Sequence, residues 1–247
     1  MKDTPAVFRI NRMELAFVPK PWVFAVERRA EIDNYFDTLR RDKPAVWNGQ
    51  VLLMHNQSLK NGVLRGQYLQ TDYASFAAWC AWGRPPAGVH DCFGAAAILT
   101  ADDAFLLGVM GPHTFNAGKI YFLCGTPDPS DIIGNKVDLE LSVAREVKEE
   151  TGLDVAEFAE ELGWTAIVEG PLIALIKVMR STEPAVALRS RILENLSRQQ
   201  NPELTDIRIV RNSAEIDPAM PTYVTTFLAS RFAPQGRSTR SGTEVQQ

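Results

Sequence analysis

Between Leu139 and Leu153 the chain reads LELSVAREVKEETGL, and no other stretch constrains the fold as tightly. Leu139, Val143 and Val147 recur every four residues, so a helix over 139–151 gathers them into one inward stripe. Gly152 stands where a left-handed C-terminal cap is wanted, and apolar Leu153 follows it. Glu146, Glu149 and Glu150 fall at i, i+3 and i+4, which brings three carboxylates to one patch with Cβ atoms roughly 5–6 Å apart. Such a helix needs an apolar surface beneath it. It also needs something to relieve three like charges, either open solvent or bound cations. Arg145 can pair with one of the glutamates and hold its rotamer. Runs of this kind are common on exposed helix faces, so the helix alone leaves both readings open.

The flanking sequence supplies the surface. CFGAAAILTADDAFLLGVMG reads as two strands around Asp102-Asp103, and KIYFLCG as a third, followed by the long turn-rich loop TPDPSDIIGNK. After the helix, WTAIVEGPLIALIKVMR gives two strands around Glu169-Gly170. PAVALRSRILENLSRQQ is helical, ELTDIRIV is a last strand, and PTYVTTFLASRF is a closing helix. Strands around one central helix and later helices imply an α/β class, a mixed sheet sandwiched by helices.

Residues 1–89 read as an α+β extension of their own. VFRINRMELAFV alternates apolar and polar from Val7 to Val18, a single strand that Pro19 and Pro21 break. Residues 28–42 have helical spacing, with Ile32, Tyr35, Phe36 and Leu39 on one stripe. Asn61-Gly62 sits between strand-like runs as a hairpin turn. DYASFAAWCAW is a short aromatic-rich helix, and Gly83, Pro85, Pro86 and Gly88 mark a linker. Trp47 and Trp79 read as core packing rather than as ligand-stacking rings. The end, 233–247, is polar and rich in Ser, Gly and Thr, a tail expected to be disordered.

Composition removes several function classes. A net charge of −4 provides no basic field for holding nucleic acid by phosphate neutralisation. Three cysteines without a CxxC pair cannot all pair, which points to thiols in a reducing compartment rather than a disulfide framework. The start, MKDTPAVFRI, lacks the apolar core of a signal peptide, and GPLIALIKVM is too short to span a bilayer. A cytoplasmic protein with neither a nucleic-acid nor a membrane partner is the expectation.

REVKEETGL is similar to the second half of the signature of the Nudix hydrolases, R-E-U-x-E-E-x-G-U with U aliphatic, and agrees at every specified position. The resemblance spans about residues 90–232 and implies a Nudix-type α/β/α sandwich. The first half departs: where the family has a glycine and a glutamate, this chain has Asp131 and Val137. The family's glycine is then Gly125, across an enlarged loop, or Gly134. Asp138 or Glu140 is available as the missing carboxylate, although a helix N-cap is the plainer reading of Asp138. The extension resembles, through VWNGQVLLM and DYASFAAW, that of Nudix enzymes that split UDP-glucose and UDP-galactose.

The resemblance implies a phosphoric-anhydride hydrolase acting on a nucleoside diphosphate linked to another moiety, here a UDP-sugar cut to UMP and sugar 1-phosphate. The cofactor it implies is Mg²⁺ or Mn²⁺ held by Glu146, Glu149 and Glu150, with Arg145, Gly125 and Gly152 as structural support. A further catalytic carboxylate is expected from a later loop. Among Glu169, Glu183, Glu194 and Glu203, the choice falls on Glu203, which follows Asn201-Pro202 and precedes a strand. His113, Asn116 and Lys119 are further candidates to touch a phosphate or sugar, although a plain connection is the commoner use of such a segment. His55, His90 and His113 have no metal-ligand spacing and read as surface or loop histidines. A homodimer is compatible with the chain. The competing readings are a non-catalytic ligand sensor on the same fold, and hydrolysis of ADP-ribose or another nucleotide.

Overall fold

In the computed structural model, which describes residues 4–233, the chain opens on two short strands, β1 (Ala6–Ile10) and β2 (Arg12–Phe17), that belong to different sheets. Helices α1 (Val23–Glu27) and α2 (Arg29–Asp42) follow, then the hairpin β3 (Gln50–Lys60) and β4 (Val63–Asp72), and α3 (Tyr73–Ala81). Asn61 (φ 51°) and Gly62 (φ 71°) make the hairpin turn, the left-handed pair that an Asn-Gly dipeptide adopts at least cost. β2 lies parallel to β4, so these strands form one sheet. Because side chains alternate along a strand, Leu52 and Met54 enter the main core of the molecule. Val51 and Leu53 enter a second core with Trp22, Ile32, Phe36 and Trp79.

The main sheet is ordered β1, β11 (Trp164–Glu169), β12 (Leu172–Arg180), β5 (Asp91–Leu99), β6 (Phe105–Met110) and β13 (Leu204–Val210). β7 (Ile120–Tyr121) pairs with β6, and β10 (Ala159–Glu160) with β12. β5 and β12 are parallel and the other ladders antiparallel, so the sheet is mixed, as expected. All nine residues of β5 are buried, which suits the continuous apolar run FGAAAIL at a sheet centre. Phe93 meets Tyr223 of α6 (Thr222–Phe232) edge to face at 5.6 Å. Its neighbour Gly94 faces Val143 of α4 (Leu139–Thr151) on the other side. α4 and α6 therefore cover opposite faces of one sheet, the α/β/α sandwich. α5 (Ala185–Leu196) packs near α4 and on β13.

Five expectations change. The alternating run from Val7 to Val18 is two strands, because Asn11 and Arg12 both donate backbone N–H bonds to Gly62 O (2.8 and 3.3 Å) and turn the chain from β11 toward β4. KIYFLCG contributes only Ile120–Tyr121 to a ladder, plus a bridge from Leu123 to Ala96. Within TPDPSDIIGNK lie a 3-10 turn, Pro129–Asp131, and a small hairpin of β8 (Ile132–Ile133) and β9 (Lys136–Val137); Lys136 pairs with Ala16 of β2. His55 is not at the surface but buried within β3, and Trp47 is not core but 81% exposed, while Trp79 is fully buried. The tail from 234 onward lies outside the described residues.

Gly94 sets how closely α4 approaches the sheet. A Cβ there would stand 2.6 Å from Val143 Cγ2 and 3.1 Å from Leu139 O, backbone that cannot yield locally. Gly94→Ala is expected to lower unfolding free energy by about 1–3 kcal/mol through overpacking. Denaturant titration at unchanged slope checks this, and an unshifted midpoint would mean that α4 is free to move away.

Candidate functional site

Each end of α4 is fixed by its own sequence. Asp138 caps the start, accepting from the Glu140 and Leu141 amides at 3.0 Å each, so it serves the helix and not the patch. Gly152 ends the helix in the left-handed conformation (φ 75°), with Lys148 O accepting its N–H and Asn195 packed so closely that a Cβ would lie 2.5 Å from Asn195 Cγ. Between these ends Glu146 and Glu150 point inward and Glu149 outward. Glu146 is 9% and Glu150 4% exposed, whereas the Glu149 side chain is 62% exposed. The helix face is thus no solvated one: two of its three carboxylates are buried.

Gly125 lies against Glu146, and a Cβ at 125 would overlap the Glu146 carboxyl group. Gly134 faces open space and serves the β8–β9 turn with φ 64°. Arg145 spreads one guanidinium over four carboxylates. It donates to Asp131 (Nη2–Oδ2 3.1 Å) and to Glu146 (Nη1–Oε1 2.7 Å), reaches Glu149 Oε2 at 3.4 Å, and stands 3.7 Å from Asp128. Asp131 is a residue the sequence reading missed. Counting back from the arginine put a family glycine there. The residue present is a fully buried aspartate whose Oδ2 also accepts the Asp128 amide at 3.0 Å. Val137, where the family has its glutamate, is buried in the apolar core. Glu140 is exposed at the first turn.

Burial dominates the electrostatics. It pushes the Glu146 carboxyl up to about 7; Arg145 opposes that shift, and the charges of Glu149 and Glu203 add to it. Glu150 is raised well above the ordinary carboxylate value, first by burial and then by Glu146 and Glu203, with the Cys124 amide in partial opposition. Its Oε2 is buried without a hydrogen-bond partner. Glu146 and Glu150, buried one helical turn apart with one oxygen unsatisfied, are hard oxygen donors of the kind a divalent cation takes, one or two at a time, before completing its shell with water and substrate oxygens. Among the described residues no group of three or more acidic, histidine or cysteine side chains is already placed to hold a metal ion.

Glu203 is exposed at the start of β13, with its backbone O accepting from Gly111 N at 2.7 Å. Its charge adds to the upward shifts of Glu146, Glu150, Tyr121 and Tyr73. The other acids lie elsewhere: Glu194 pairs with Arg198, Glu183 with Arg191 at 3.2 Å, and Glu169 acts on Arg84. The 111–119 loop joins this side. His113 is half-buried against Gly111, Asn116 donates to Tyr121 Oη at 3.3 Å, and Lys119 is exposed. Lys43 of the extension holds the loop through the Thr114 and Phe115 carbonyls, and Phe115 meets Tyr73 of α3 at 6.4 Å. A separate cavity of about 700 Å³ opens at the other end of α4, lined by Arg12, Met13, Lys136, Glu140 and Trp164, away from the glutamates.

No protein-family model matches the chain, and no curated protein matches it. Solved structures do. RenU, a Nudix hydrolase from M. smegmatis, is 18% identical, with 51% of this chain and 78% of that one covered at a TM-score of 0.31. A MutT protein from Methanosarcina mazei Go1 is 20% identical, with 56% and 89% covered at 0.38. Likenesses this loose decide nothing about activity, which has to be argued from the carboxylates. Among the described residues no helix is long and apolar enough to cross a membrane.

The raised Glu146 carboxyl has a consequence for cation-free protein. A carboxyl whose folded value lies above its ordinary 4.5 holds its proton more tightly when folded. Its stabilising share is therefore greatest at low pH and is lost as pH climbs from about 4.5 to 7. In EDTA the thermal midpoint is expected to fall between pH 6 and pH 8 by about 2–4 °C more in the wild type than in Glu146→Gln. Parallel curves from calorimetry would mean that the buried carboxylate is already compensated.

Proposed function

We propose that the chain is a Nudix-type pyrophosphohydrolase acting on a nucleoside diphosphate linked to another moiety, with Mg²⁺ or Mn²⁺ as cofactor. The observation that carries this is the partnerless, buried Glu150 Oε2 beside the charges of Glu146 and Glu203. A ligand sensor has no use for buried, mutually repelling carboxylates, because a neutral side chain there is cheaper to fold. Glu146, Glu149 and Glu150 would hold the cation, which when bound neutralises pyrophosphate charge and lowers the pKa of a bound water.

The chain's own groups divide the remaining work. Arg145 meets Glu146 through one N–H, offsetting part of its charge and leaving its second oxygen free of the arginine. Glu203, on an exposed loop opposite the helix, can take the proton of the attacking water on its carboxylate oxygen as the new phosphorus–oxygen bond forms and the bridging bond breaks. The substrate we favour is a UDP-sugar, released as UMP and sugar 1-phosphate. Support comes from the extension's likeness to such enzymes and from the aromatic pair Tyr73 and Phe115 that joins the extension to the 111–119 loop. His113, Asn116 and Lys119 lie in the same loop segment as Phe115 and are the groups we assign to a phosphate or sugar. The three cysteines are free, in keeping with a cytoplasmic setting. The substrate partner is a small nucleotide, and a homodimer remains compatible with this reading.

A panel of nucleoside diphosphate derivatives with Mg²⁺, with products identified, tests the substrate; faster turnover of ADP-ribose than of every UDP-sugar would overturn that part. Glu149→Gln and Glu150→Gln are each expected to lower turnover by about a hundredfold or more. Glu150→Gln should also raise the thermal midpoint in EDTA at neutral pH, since it removes the cost of burying a carboxyl that is ionised in the unfolded chain, which separates lost chemistry from lost folding. Turnover near wild type in both variants would end the cation-nest reading.

Glu203→Gln is expected to lower kcat by at least about tenfold, while Glu194→Gln, whose glutamate is occupied by Arg198, stays within about twofold. Equal kinetics in the two variants would move the general base elsewhere.

A further inference from the structure

We infer that Asp131 is a positioning residue for the cation site: it occupies two of the three Arg145 guanidinium nitrogens and so limits the arginine to one nitrogen on the glutamates, which leaves their other oxygens available. Arg145 is the nearest permanent cation to Glu146 and Glu149, at 2.7 and 3.4 Å. Left to Coulomb attraction alone, a guanidinium so placed would settle bidentate on the glutamates and compete with any divalent ion for the same lone pairs. Asp131 opposes that. It is fully buried, its Oδ1 lies 3.4 Å from Arg145 Nε and its Oδ2 3.1 Å from Nη2. Two of the three guanidinium nitrogens are thereby turned toward the loop, and only Nη1 is left for the helix.

The anchor is itself held on both sides. The Asp128 amide donates to Asp131 Oδ2, the Asp131 amide donates to Asp128 O, and the Asp138 amide donates to Asp131 O. The loop that replaces the ordinary first half of the signature thus ends by delivering a carboxylate to Arg145 from 14 residues upstream. Asp128, 3.7 Å from Arg145 and 34% exposed, adds a weaker pull in the same direction.

This inference rests on the reading of Glu146 and Glu149 as cation ligands, and the test keeps the two apart. Mn²⁺ binding to the full chain, followed by the EPR signal of free Mn²⁺ without substrate, first asks whether the wild type binds the ion at all; failure there sinks the ligand reading. With binding present, Asp131→Asn is expected to weaken Mn²⁺ affinity by roughly tenfold or more, the size typical of outer-shell partners. At saturating cation, its kcat should fall by less than that factor. The double variant Asp131→Asn/Arg145→Gln, a neutral pair of similar shape, is expected to return to within about threefold of wild-type Mn²⁺ affinity, since the competing guanidinium is gone. A folded Asp131→Asn that binds Mn²⁺ like the wild type, or a double variant that binds as weakly as the single, overturns the inference. Should circular dichroism find Asp131→Asn unfolded, the double variant decides alone: wild-type affinity supports the anchor, and a tenfold loss refutes it.

Discussion

Everything around the candidate site turns on two carboxylates drawn largely out of water. Glu146 and Glu150 sit one helical turn apart on the buried side of α4, and both are raised by desolvation before any neighbour acts. A fold that buries like charges needs rigid surroundings, or the helix would rotate and release them to solvent. The rigidity is visible on each side. Gly94 lets the helix backbone lie almost on the sheet, Gly125 lets the loop close over Glu146, and Asn195 closes over the Gly152 cap. Any side chain at 94 or 125 would lift the helix or expel a carboxylate.

The extension is wound into this arrangement instead of being appended to it. Leu52 N donates to Pro127 O at 2.7 Å, so the extension's hairpin grips the signature loop directly. β9, two residues before α4 begins, pairs with β2. Lys43 straps the 111–119 loop, and Tyr73 meets Phe115 of that loop edge to face. Asn48, in the Trp-Asn-Gly element, accepts from the Ala74 amide at 2.8 Å, and the Trp47 ring lies over Gly49. That element therefore sets where α3 starts, and α3 carries Tyr73.

How much of this was legible beforehand depends on whether the deciding interaction is local. Helix 139–151 was readable to the residue, because its stripe, its Asp138 cap and its Gly152 terminus are all encoded within fifteen positions. The Asn61-Gly62 turn was equally plain. The break at Asn11 was not: the apolar–polar alternation runs on past it, and only the distant Gly62 carbonyl shows where one sheet ends and the other begins. Asp131 escaped for the opposite reason. A count along a familiar pattern supplied a wrong expectation for that position, while its real partner is fixed by a loop whose course no periodicity encodes. His55 and Trp47 exchanged their expected environments, since type alone ranks tryptophan as core and histidine as surface. Glu203 needed only its place before a strand to be singled out. What fixes its backbone, the bond from the Gly111 amide to its carbonyl, is long-range and not readable from that place.

The split at Asn11 also orders events in time. β2 finds its partner β4 within the first third of the chain, so the extension's sheet can begin to form early. β1 has no ladder until β11 exists, with Ala6 opposite Val168 and Ile10 opposite Trp164. During synthesis β1 must therefore wait, unpaired, for β11 about 150 residues later, while its immediate neighbour is already docked. Long-range pairing of this kind is slow to form, and the main sheet's outer edge is closed by a strand made long before its partner.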